Sequence, residues 1–176
     1  MSLHATRPIA DGEEITIEYT KLTESRKTRR SRLFDMYHFH CECEHCKLPN
    51  DLTIASDAAR MELDQWTEKR FRKPVEWYKN LTLPDRYLVD GHKRCIALYE
   101  QEGIMGLEYA THIGELAIVY GMLADEENFK LWGGKAMEAF ETKKASDTVS
   151  WAQWVADPRR NFQLWGMRLK EKARRR

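Results

Sequence analysis

Three cysteines fall within six residues in "CECEHC" (Cys41 to Cys46), and this cluster restricts what the chain can become more than any other feature. C-x-C-x-x-C spacing brings three thiols close enough to share one tetrahedral zinc ion, and suits a metal better than a disulfide framework. Such a cluster implies a reducing, intracellular setting, nucleus or cytoplasm. A structural zinc site takes four ligands, so a fourth donor must come from elsewhere. His38, His40 and His45 are near in sequence and Cys95 is distant. His40 and His45 flank the cysteines too tightly to be easy ligands, although neither is excluded. Cys95 lies on an apolar helical stripe, which suits a buried, inert thiol.

Composition excludes several function classes. The 29 basic and 28 acidic side chains leave a net charge of +1, so no global field favours DNA or an anionic membrane. No apolar run approaches the roughly 18–20 residues that a membrane span needs. With 176 residues and 42% hydrophobic content, the chain is long enough for one good core or for a small module joined to a larger one.

The chain divides into two regions of different character, and a mostly α fold is expected. Residues 4–49 combine a strand, a short helix and the cysteine cluster. Residues 54–176 read as helical, joined to the first region by linker chemistry at Pro49, Asn50 and Asp51. After the Asp11-Gly12 turn, Ile15, Ile17 and Tyr19 alternate with Glu14, Thr16 and Glu18. That period predicts a strand burying Ile15, Ile17 and Tyr19 on one face. Thr23 is placed to cap a helix through Tyr37, whose "RKTRRSR" run reads as a solvated face.

Further on, Ala59, Leu63 and Trp66 share a helical face, and Pro74 and Pro84 sit where helices begin. A helix from Pro84 to Glu102 carries Leu88, Cys95, Leu98 and Tyr99 and stops at Gly103. Helices over 105–123 and 125–144 follow, and Asp157-Pro158 opens a last helix running into "RLKEKARRR", read as a solvated, fraying end. Short polar turns between such helices predict antiparallel neighbours. Residues 115–141 resemble one tetratricopeptide unit, with Ala117, Gly121 and Ala136 allowing close approach and Tyr120, Leu123, Phe129 and Phe140 filling between. The tryptophans Trp66, Trp77, Trp132, Trp151, Trp154 and Trp165 suit packing between helices better than a peptide groove.

Taken in order, "RPIADGEEITIEY", "RLFDMYHF" and "CECEHC" resemble the closing part of a SET domain with its post-SET zinc motif. The helical remainder resembles the C-terminal domain of SET-and-MYND-type protein lysine methyltransferases. The resemblance implies S-adenosylmethionine as cofactor, structural Zn2+, and a protein substrate, a histone tail or another lysine-bearing peptide. It assigns Tyr19 as the catalytic tyrosine, Tyr37 to the substrate-lysine channel, Phe39 to the cofactor adenine, and Cys41, Cys43 and Cys46 to zinc. The family's glycine-rich cofactor segment, its asparagine–histidine–serine–cysteine segment and its MYND finger have no counterpart in this sequence. The expectation is therefore a C-terminal fragment of a methyltransferase, inactive alone, with the fourth zinc ligand outside the chain and the upstream part of its own SET domain as a partner. The alternative is a non-catalytic tetratricopeptide-like module that holds partner peptides, with a structural zinc segment.

Overall fold

A computed structural model describes residues 9–13, 15, 17–141 and 148–175. Within them the chain forms ten helices and no strand. They are α1 (Arg26–Tyr37), α2 (Glu44–Lys47), α3 (Asn50–Glu68), α4 (Arg72–Lys79), α5 (Tyr87–Gln101), α6 (Leu107–Met122), α7 (Glu126–Glu141), α8 (Thr148–Ala156), α9 (Pro158–Asn161) and α10 (Met167–Arg174). Apolar positions spaced three and four apart give each long helix one stripe to bury, and short connections fold successive helices back on one another. Thus α5 packs on α6, α6 on α7 and α7 on α8, while α3 lies against α5 and α10 touches α6.

The larger core gathers Trp77, Leu88, Ile96, Leu116, Phe129 and Trp151. A second, between α3 and α5, holds Ala59, Leu63, Cys95, Leu98 and Tyr99. Trp77 and Trp151 are buried, and Trp132, Trp154 and Trp165 pack against the larger core. In the α6–α7 pair, small and aromatic residues expected to pack between the helices do so. Ala117, Phe129 and Ala136 are fully buried. A Cβ on Gly121 would meet rings of Phe162 and Phe129 at 2.5 and 2.7 Å.

Several boundaries differ from the sequence reading. The stretch through Ile15, Ile17 and Tyr19 pairs with no strand among the described residues, and all three side chains are exposed. Alternation alone makes no sheet without a partner strand. Glu14, Thr16 and residues 1–8 of that motif lie outside the described residues, as does the end of the 125–144 helix.

Ser25, not Thr23, caps α1 by accepting from the Thr28 N–H, while the Thr23 hydroxyl donates to Asp64. The "RKTRRSR" run is mostly solvent-facing as expected, with Lys27, Arg30 and Arg32 exposed, but Arg29 is buried, Arg26 donates to the Leu48 carbonyl and Arg32 pairs with Glu24. The 47–53 linker shrinks because α3 already begins at Asn50. Pro74 occupies the first turn of α4, where its missing N–H is not needed, and Pro84 stands in the turn before α5. Pro158 does open a helix, with Asp157 capping it. The last helix is split in two, and its end is tied down. Arg168 is completely buried, and Glu171 pairs with Arg174 and Arg175.

Candidate functional site

The end of α1 and the segment behind it bring the aromatic and cysteine motifs together. His38 takes a left-handed conformation (φ 56°) and its N–H donates to the Phe34 carbonyl, which ends α1 and turns the chain. Tyr37 and Phe39 are thereby set with ring centroids 6.5 Å apart. Tyr19 comes from the preceding extended segment and meets both edge-on, at 5.3 Å from Tyr37 and 5.9 Å from Phe39. Edge-to-face contact is a favoured geometry for aromatic rings. Yet the three rings remain open on one side, 49%, 45% and 38% exposed for Tyr19, Tyr37 and Phe39.

Immediately behind them Cys41, Cys43 and Cys46 converge, their Sγ atoms within 4.8 Å of one another. Thiolates at about 2.3 Å from a tetrahedral zinc stand roughly 3.8 Å apart, so little rearrangement separates this cluster from a ligand set. Its electrostatics fit a cation too. Burial raises the Cys43 pKa, but hydrogen bonds from the Cys46 and His45 backbone and the Cys41 and Cys46 thiols outweigh it and bring it below the ordinary value. Cys46 is pushed up to about 11, by burial first and then by the Cys43 charge. A bound cation removes that repulsion, so thiolates that oppose one another become joint ligands.

Among the described residues the cluster gains no fourth donor. His40 stacks on Phe34 at 4.9 Å, and His45 directs Nδ1 toward Glu102 at 3.7 Å. Cys95 is fully buried, and burial pushes its thiol up to about 12, the behaviour of an inert core residue.

The cysteine segment is held by a buried polar network that the sequence reading missed. Glu102, beyond the end of α5, accepts from Ser56 Oγ at 2.6 Å and from Arg60 Nε at 2.9 Å. Arg60 also donates to the Leu22 carbonyl, tying down the chain just after Tyr19. The only sequence signal was a serine and an arginine four apart on the apolar side of α3, which periodicity treats as misplaced polar residues.

A helical protein with an aromatic trio leading into a tri-cysteine cluster is what the fold and site define, and its homologues are SET and MYND domain-containing proteins and SMYD-type methyltransferases, matched over part of their length. One SET and MYND domain-containing protein of Dictyostelium discoideum is 35% identical over 115 residues, 64% of this chain and 22% of that protein. Another from the same organism is 50% identical over 54 residues, 31% of this chain and 15% of its own length. The histone-lysine N-methyltransferase Smyd1 of Mus musculus is 38% identical over 58 residues, 32% of this chain and 12% of that enzyme. The chain thus spans less than a quarter of the length of these relatives. No family model matches the sequence. No described helix is long and apolar enough to cross a membrane.

Proposed function

We propose that the chain is the C-terminal portion of an S-adenosylmethionine-dependent protein lysine methyltransferase. In this reading residues 4–49 are the end of a SET domain with its post-SET motif, and residues 54–176 are a tetratricopeptide-like helical domain. The observation that carries it is the edge contact of Tyr19 with both Tyr37 and Phe39, directly ahead of three convergent cysteines. S-adenosylmethionine supplies an activated methyl group to a lysine amine of a protein substrate. The Tyr19 hydroxyl orients that amine by accepting its hydrogen bond and favours positive charge near the reacting carbon. The Tyr37 ring walls the lysine channel, where an aromatic face attracts a methylated ammonium. The Phe39 ring stacks on the adenine. Cys41, Cys43 and Cys46 hold Zn2+, with a fourth ligand from outside the chain, and fold this wall over the channel.

Exposure of Ile15, Ile17, Tyr19, Phe34, Tyr37 and Phe39 on this one segment supports a surface completed by the remaining SET strands. Alone, the chain should show no micromolar binding of S-adenosylmethionine in calorimetric titration, and no turnover. In the full-length protein carrying these residues, Tyr19→Phe should lower kcat on a lysine peptide by about 10²–10³-fold, the scale of a lost transition-state hydrogen bond, with cofactor affinity nearly unchanged. Undiminished turnover in that variant would remove Tyr19 from catalysis.

A further inference from the structure

A second cluster of ligating side chains lies away from the cysteines, between α5 and α6. His92 on α5 faces His112 and Glu115 on α6, and their donor atoms lie within 4.8 Å of one another. The two Nδ1 atoms are 3.0 Å apart, within hydrogen-bond distance of each other, and Glu115 Oε2 lies 3.8 Å from His92 Nδ1. Two nitrogens bound at about 2.1 Å to a tetrahedral ion stand roughly 3.3 Å apart, so the observed spacing brackets a metal-ligand triangle.

Two unsatisfied carboxylate oxygens near this cluster point to a cation. Glu115 Oε2 is buried and has no hydrogen-bond partner, while its other oxygen accepts from Arg70 Nε at 2.6 Å. Arg70 therefore fixes the carboxylate with one oxygen left for a ligand, as outer partners do at metal sites. Glu108 Oε2 is likewise buried without a hydrogen bond, 3.7 Å from Arg70. Two carboxylates thus share one guanidinium, and Glu115 Oε2 is the unsatisfied oxygen facing His92. A neutral imidazole, the form that binds metals, carries one free nitrogen lone pair. The Trp66 ring covers both imidazoles, 5.5 Å from His92 and 6.4 Å from His112.

We propose that His92, His112 and Glu115 bind a divalent, zinc-type ion that clamps α5 to α6, separate from the cysteine cluster. Each ring then coordinates through Nδ1 and keeps its proton on Nε2. Two nitrogens and one carboxylate oxygen suit zinc and leave a fourth position for water.

Cobalt(II) titration of the purified chain tests this without needing an altered fold, because the two sites absorb differently. Thiolate ligation adds near-ultraviolet charge-transfer bands to the visible ligand-field bands, whereas a histidine–carboxylate site gives visible ligand-field bands alone. The expected result is a saturable visible component that persists in the Cys41→Ser/Cys43→Ser/Cys46→Ser variant. Glu115→Gln, which keeps the oxygen that Arg70 uses, should weaken that component by at least about tenfold while leaving the charge-transfer bands intact. Zinc should displace the cobalt from both sites. A triple-serine chain with no saturable visible component, or one whose visible component is unchanged by Glu115→Gln, would overturn the proposal.

Discussion

Two helices of this protein end on the same backbone device with different residues. After α5, Gly103 is left-handed (φ 63°), with Ile104 donating to the Tyr99 carbonyl and Gly103 to that of Glu100. After α6, Ala124 takes the same conformation (φ 57°), with Asp125 donating to Tyr120 and Ala124 to Gly121. Both are Schellman ends, but only glycine reaches that region without a clash between Cβ and the backbone. A left-handed alanine costs roughly 1–2 kcal/mol, partly offset by the greater freedom glycine would have in the unfolded chain. Ala124→Gly should therefore stabilise the protein by about 0.5–1 kcal/mol, read as a higher midpoint in urea with an unchanged slope. The stop at Gly103 was legible because glycine announces it, whereas the stop at Ala124 carries no such mark.

At the level of elements, the join between the cysteine segment and the helices rests on one buried ion pair. Arg60 of α3 and Glu102 are almost wholly buried, and Ser56, Leu22 and His45 all address the same pair. Breaking such a pair leaves a charge in low dielectric, which costs about 3–5 kcal/mol. Glu102→Ala should lower stability on that scale in chemical denaturation. The double variant Arg60→Met with Glu102→Leu should recover much of the loss, since it strands no charge. Equal destabilisation of single and double variants would mean that shape, not charge, sets the cost. The basic run in α1 is only partly of this kind: Lys27 and Arg30 stay exposed, while the Leu48 and Glu24 carbonyls accept from Arg26 and Arg29.

On the scale of the whole molecule, the C-terminal helix closes the fold through a guanidinium. Arg168 donates to the carbonyls of Trp77 and Leu83 and to Asp85 Oδ1, and lies 4.6 Å from the Trp77 ring. Lys172 reaches the same carboxylate at 2.7 Å. Burial raises the Asp85 pKa, but hydrogen bonds and charge from Lys172 and Arg168 outweigh it and hold the carboxyl below its ordinary value. Its folded pKa is therefore lower than its unfolded one, near 3.9. That contribution is fully present above about pH 4 and is lost as pH falls through the folded pKa. Asp85→Asn should thus lower the thermal midpoint at pH 7, and the gap from wild type should narrow below about pH 4. A gap that stays constant from pH 7 to 2 would assign the effect to packing.

The sequence by itself determined the mostly helical architecture, the stop at Gly103, the start at Pro158, and the pairing of α6 with α7, because period, proline and glycine act locally. It also brought the candidate residues Tyr19, Tyr37, Phe39, Cys41, Cys43 and Cys46 into view, since their spacing is short and their chemistry specific. Only tertiary structure decided that Ile15, Ile17 and Tyr19 stand exposed, for a strand's burial depends on partners that alternation does not name. Tertiary structure alone likewise joined Arg60 to Glu102, Arg168 to the end of α4, and His92 to His112 and Glu115. His112 and Glu115, three apart on one helical face, were a faint trace of the last group. Its other member sits on a different helix, and packing rather than local sequence spacing sets the distance between them.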